Sequence, residues 1–137
     1  MKLNIRMLKD SDWDTLVEWW LSWKDWQAHP TKDMLPDNGK GGFIVEYNNK
    51  PIVAGFLYLT NSKVGWLEWI ISNPKYKGKN RKEALELLIT GVENVAKQQG
   101  CTCILSIGRN KSLIKIHEKL GYTIDPKHSY EISKNIQ

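Results

Sequence analysis

Two cysteines and three histidines are all the thiol and imidazole side chains that this 137-residue chain carries. Cys101 and Cys103 stand one residue apart, too close to staple a fold, so they are expected to be reduced thiols and no metal site is assigned. No apolar run approaches the ~20 residues of a membrane span, and the N-terminus has no signal-peptide apolar region. No membrane partner and a cytoplasmic location are therefore expected. Arginine is scarce as well, since only Arg6, Arg81 and Arg109 stand among 20 cations. Base readout and forked phosphate contacts favour arginine, so this scarcity argues against nucleic acid despite a net charge of +5. Repeats, low-complexity tracts and linkers are absent too, which makes residues 1–137 a single expected domain. A chain of this length buries about 68% of its unfolded surface in one core.

What is present in excess is tryptophan, seven residues, and a basic turn. Lys75, Lys77, Lys79, Arg81 and Lys82 gather just before a helical pattern that begins near Glu83. Cations at a helix N-terminus oppose the free N–H groups and the macrodipole, which favour negative charge. A phosphate resolves the conflict, and Gly78 admits its close approach. The alternative is a solvated lysine-rich turn.

The periodicity orders the chain. Leu3 to Met7 reads as a strand, followed by a helix from Asp12 to Trp23 whose cap is Ser11 with Asp14. Trp13, Leu16, Val17 and Trp20 form that helix's apolar stripe, with Trp19 and Trp26 off it. Ala28 to Gly42 reads as an irregular loop. Phe43 to Tyr47, Pro51 to Thr60 and Val64 to Ser72 are strands joined by tight turns at Asn48-Asn49 and at Asn61 to Lys63. In the third run, strict alternation puts Trp66, Glu68 and Ile70 on one face and Leu67, Trp69 and Ile71 on the other. Glu68 is the odd carboxylate there, either satisfied by a cation or tuned as an acid or base. A long helix ends at Gly100, Cys103 to Ile107 is a strand, and Lys111 to Lys119 a helix. Tyr122 to Ile124 and His128 to Ile132 are the last two expected strands.

Two phrases in this order resemble the GNAT superfamily of N-acetyltransferases. Ile71-Ser72-Asn73-Pro74-Lys75-Tyr76 with Lys77-Gly78-Lys79-Asn80-Arg81-Lys82 is similar to the strand end and pyrophosphate loop of that family. Asn110-Lys111-Ser112-Leu113, followed by His117-Glu118-Lys119-Leu120-Gly121-Tyr122, is similar to its second signature. The departures are Asn80 and Lys82 in place of glycines, Lys77 for a leading arginine or glutamine, Leu113 for alanine, and His117 for the tyrosine that often protonates the departing thiolate.

The resemblance implies an α/β (α+β) GNAT-like fold, with a central mixed and largely antiparallel sheet of about six to seven strands flanked by helices. It implies an N-acetyltransferase moving an acetyl group from acetyl-CoA to a primary amine of a small molecule, a peptide N-terminus or a lysine. Cofactor contacts are implied at Ile70, Ile71 and Ser72, at Lys77, Gly78, Lys79, Asn80, Arg81 and Lys82, and at Asn110 and Ser112. Glu68 is the candidate base and His117 the candidate acid. The altered loop keeps a second reading open, a non-catalytic GNAT-like module. Tryptophans around Trp19 to Trp26 suit an apolar acceptor or, equally, a homodimer interface.

Overall fold

The computed structural model describes residues 2–24, 28–127 and 129–136. In chain order the elements are β1 (Leu3–Met7), α1 (Trp13–Ser22), β2 (Gly42–Tyr47), β3 (Lys50–Leu59), β4 (Val64–Ser72), α2 (Arg81–Gln98), β5 (Cys103–Ser106) and α3 (Lys111–Lys119). The strands form one sheet in the order β1-β2-β3-β4-β5. Neighbours are antiparallel except β4 and β5, which run parallel and are joined through α2. The β2–β3 hairpin turns on Asn48 and Asn49, both at positive φ, as a two-residue hairpin requires. Gly100 and Gly121 end α2 and α3 at φ 91 and 97, a geometry that a Cβ would oppose.

The mixed α+β fold expected from sequence is present, but its sheet has five strands among the described residues instead of six to seven. Tyr122 to Ile124 joins no ladder, and neither do residues 129–132; His128 lies outside the described residues. Tyr122 is half-buried against the α2-side core, but its amide is spent on the His117 carbonyl at the end of α3, whereas in the tail Tyr130 and Ile132 gain no cover, at 87% and 93% exposed. Without burial, nothing offsets the entropy of ordering a strand.

Each face of the sheet carries its own core. On one, Ala84, Leu85, Leu88, Ile89, Val92 and Ala96 of α2 pack on Val45, Val53, Leu57 and Leu67. On the other, Leu16, Trp19 and Trp20 of α1 pack on Ile44, Ala54, Phe56 and Ile71. Trp19 thus corrects the expected stripe: it is buried, because the apolar arc of α1 is wider than a three-four spacing marks out. Trp26, the other tryptophan placed off the stripe, lies outside the described residues.

The cap of α1 is also different from the expected Ser11. Asp12 accepts from the Lys9 amide at 2.8 Å and from both Nη groups of Arg6 at 2.9 Å. Arg6 Nε and Nη2 also donate to the two oxygens of Glu46 at 3.2 Å, so one guanidinium locks β1, β2 and the turn before α1 together. Hydrogen bonding from Arg6 holds the Asp12 carboxyl below its ordinary value of 3.8, against the opposing effect of burial. The linked stability is therefore present above about pH 4 and is lost as pH falls through the folded value. Arg6→Ala leaves two half-buried carboxylates unpaired and is expected to cost ~2–3 kcal/mol in urea denaturation at neutral pH. At a pH low enough to protonate both carboxylates that difference should shrink, and a constant difference would rule out this origin.

Candidate active site

The site begins with a break in β4. Phe56 pairs with Glu68 and Ala54 with Ile71, so the single residue Gly55 faces both Trp69 and Ile70. Trp69 sits at φ 59, a left-handed conformation that a bulky residue adopts only when its surroundings enforce it. The bulge corrects the alternation expected from sequence. Trp69 and Ile71 pack with the α1-side core and Ile70 with the α2-side core. Glu68, opposite Phe56 of the α1-side core, shares its face with Trp69 instead of standing opposite it. Trp69 is pinned by its indole N–H, which donates to Tyr58 Oη at 2.9 Å. The Tyr58 hydroxyl in turn donates to the Met34 carbonyl at 2.8 Å.

Just before the bulge β4 also parts from β5. Their pairing runs from Val64 with Cys103 to Leu67 with Ser106 and stops there. A cleft of about 460 Å³ opens at that end, lined by Trp23, Ile70, Ile71, Ser72, Arg81, Leu85, Arg109, Asn110, Ser112 and Leu113. Six of the residues marked in the sequence, Ile70, Ile71, Ser72, Arg81, Asn110 and Ser112, are brought together here. Trp23 closes one wall, its indole N–H donating to the Ser72 carbonyl at 2.8 Å.

The basic turn leads into α2 at the mouth of this cleft. Arg81 Nη2 donates to the Asn73 carbonyl at 2.6 Å, and its guanidinium lies 5.9 Å from the Trp23 ring. Arg81 Nε is buried and finds no acceptor among the described residues. Asn80, which stands where the family has a glycine, takes φ −89 and so does not adopt the left-handed geometry that asparagine tolerates. A Cβ on Gly78 would collide with the Tyr76 ring, so this glycine is required for the close fold of the turn. Lys77, Lys79 and Lys82 are exposed. Lys77 and Gly78 line a second, open groove with Tyr47, Lys50 and Lys75.

Glu68 stands beside the cleft without lining it. Trp66 Nε1 donates to Oε2 at 3.1 Å and Arg109 Nη2 to Oε1 at 2.9 Å. Burial raises its pKa above the ordinary 4.5, outweighing the Trp66 and Arg109 contacts that pull it down. Both open readings of this carboxylate thus have a physical basis in one place, a cation partner and a lifted pKa.

His117 is 3% exposed and does not line the cleft. Its Nδ1 lies 2.8 Å from the Leu113 carbonyl, which fixes that nitrogen as the donor. Nε2 then accepts from the Ser106 hydroxyl at 2.8 Å. The imidazole is a packed ring, edge-on against Tyr122, and it holds Ser106, the last paired residue of β5. Asn110 spends its side-chain oxygen capping α3, accepting from the Leu113 amide at 2.9 Å. The sequence reading missed Arg109, Trp23 and Ser106. The one signal for Arg109 was its place immediately before Asn110.

The family model described as "Acetyltransferase (GNAT) family" matches residues 6–122. The chain belongs to that family. No curated protein sequence matches this GNAT chain. Among solved structures, a ribosomal-protein-alanine N-acetyltransferase from Brucella melitensis biovar Abortus 2308 is 15% identical with TM-score 0.67, covering 97% of this chain and 100% of that one. AAC(6')-Iy in complex with the bisubstrate analog CoA-S-monomethyl-acetylneamine is 20% identical with TM-score 0.63, covering 98% and 100%. An acetyltransferase of Trypanosoma brucei is 15% identical with TM-score 0.61, covering 98% and 100%. At these identities the likeness establishes a shared GNAT fold.

Proposed function

We propose that this GNAT protein is an acetyl-CoA-dependent N-acetyltransferase acting by direct transfer to a primary amine. The observation that carries the reading is the parting of β4 from β5 beyond Leu67 and Ser106, which turns the main chain of Ile70 to Ser72 toward a cleft closed by Arg81, Asn110 and Ser112. A strand edge with free N–H groups is suited to polarise a thioester carbonyl. The orphaned Nε of Arg81 and the open first turn of α2 suit an anionic or carbonyl-bearing substrate at the cleft mouth.

In the reaction the amine nitrogen bonds to the acetyl carbon and the C–S bond breaks, its electron pair leaving on the thiolate of CoA. The proton released by the amine passes to Glu68, directly or through water, and the lifted pKa of that buried carboxylate makes it the better acceptor. With His117 sequestered and the Ser106 hydroxyl proton directed at its Nε2, proton return to the thiolate falls to water. A thiol with an ordinary pKa near 8.5 is a leaving group that needs little help. Binding without turnover is the second reading, favoured by the hydrogen bonds that occupy both Glu68 oxygens.

Calorimetric titration with acetyl-CoA, paired with detection of released thiol, tests the proposal. Binding is expected at low salt and should weaken as salt rises, because exposed lysines flank the seat. Lys77→Ala with Lys79→Ala should weaken it roughly 5- to 30-fold, on the basis of about 0.5–1 kcal/mol for each exposed charge. No binding at low salt, or an unchanged Kd in the double variant, would overturn the cofactor seat.

A further inference from the structure

Arg109 is placed to read the acceptor. Its guanidinium lines the same cleft as the Ile70 to Ser72 edge and is fixed on two sides. Glu68 Oε1 accepts from Nη2 at 2.9 Å, and the Trp69 ring lies beside the guanidinium at 5.7 Å. The two Nη groups also donate to Glu131, Nη1 to Oε2 at 2.6 Å and Nη2 to Oε1 at 2.9 Å. That is a forked contact to both oxygens of one carboxylate, the geometry by which arginine selects carboxylates. Glu131 comes from a tail whose described residues 129–136 are all exposed, and its own side chain is 56% exposed. Charge, not packing, holds this tail carboxylate on Arg109.

We infer that the Glu131 carboxylate occupies a seat that the acceptor's own carboxylate takes during turnover, so that the acceptor class is a free amino acid. The inference rests on the N-acetyltransferase reading above. Exposed ion pairs contribute little net free energy, and a tethered partner competes only with an effective concentration on the order of millimolar. A ligand that also engages Glu68 through its amine displaces the tail. Glu68 and Arg109 are in direct contact, so the amine and carboxylate they hold are separated by few bonds. This limits the acceptor to α- or β-amino acids and disfavours lysine side chains of proteins. Transfer balances as before, with the N–C bond formed, the C–S bond broken and the amine proton passed to Glu68.

The test is competition in one pot. The full chain and acetyl-CoA are given an equimolar mixture of common amino acids and their carboxamides, and N-acetyl products are counted by mass spectrometry. Free acids are expected to be favoured by about 10- to 100-fold in kcat/KM, the range for a charged partner left unmatched. Arg109→Gln should collapse that ratio toward one, and Arg109→Lys should leave it intermediate because the fork is lost. Glu131→Gln should lower KM for the acids several-fold with kcat unchanged. Transfer to acids and amides at equal rates, or a preference that survives Arg109→Gln, overturns the inference while the transferase reading stands. If nothing is acetylated, tryptophan fluorescence of the protein with CoA is titrated with the same amino-acid mixture. A shift in wild type that Arg109→Gln abolishes then supports the seat and sinks only the transferase reading, and no shift sinks the seat as well.

Discussion

Replacing Glu68 with glutamine lowers kcat for amine acetylation by ~10²–10⁴-fold and leaves the Kd for acetyl-CoA unchanged, as expected for loss of a general base. Glutamine keeps an oxygen for either Trp66 or Arg109, and Arg109 retains Glu131, so the local fold survives the change. The pH profile separates a base from a mere ion-pair partner. Because burial lifts the Glu68 pKa above 4.5, kcat/KM falls as pH drops through a value above the ordinary glutamate range. That acid limb disappears in Glu68→Gln, while the rise at high pH from deprotonation of the acceptor amine remains. A variant with wild-type kcat and an unshifted acid limb would reduce Glu68 to a holder of Arg109. The same raised pKa bears on stability with a definite sign. The fold disfavours the ionised form, so this contribution is most favourable at low pH and is lost as pH rises through the folded value.

Trp20→Ala is expected to cost ~3–5 kcal/mol, the largest effect on stability foreseen here. Trp20 is 1% exposed and among the largest fully buried side chains. It stacks on Phe56 and on His29 with ring centroids 6.3 Å and 6.1 Å away, and meets Trp13 and Trp69 edge-on at 6.0 Å and 6.5 Å. Removing the indole empties the centre of the α1-side core directly beneath the bulged residue, so the strained backbone of Trp69 loses a support. Urea denaturation should show the loss in the midpoint, and acetyl transfer measured well below that midpoint should fall as well. A shift below ~1 kcal/mol would mean that the surrounding aromatics collapse into the space, contrary to the close packing argued for them.

The sequence by itself determined where most of the elements lie, because that information is local. Apolar spacing in Ala84 to Ala96, glycines at 100 and 121 and the Asn48-Asn49 turn each act within a few residues. It also carried the family resemblance, through the Asn73 to Lys82 turn and the Asn110 to Tyr122 phrase. Periodicity misplaced what depends on distant partners. Trp69 and Ile70 change faces because Gly55, on a neighbouring strand, is one residue short of matching them. His117 has the sequence of a catalytic replacement, but the Leu113 carbonyl and Ser106 consume both its nitrogens. The runs around Tyr122 and Tyr130 alternate like strands, but the Tyr122 amide is taken by the His117 carbonyl and Tyr130 has no covering layer, so neither joins a ladder. Arg109 and Glu131 are 22 residues apart in the chain and have no periodic relation, so their forked contact at the cleft exists only once α3 and the tail have folded back past β5. Local pattern sets which backbone states are favoured; the choice of face, partner and protonation is made by groups far away in sequence, and tertiary packing alone brings those together.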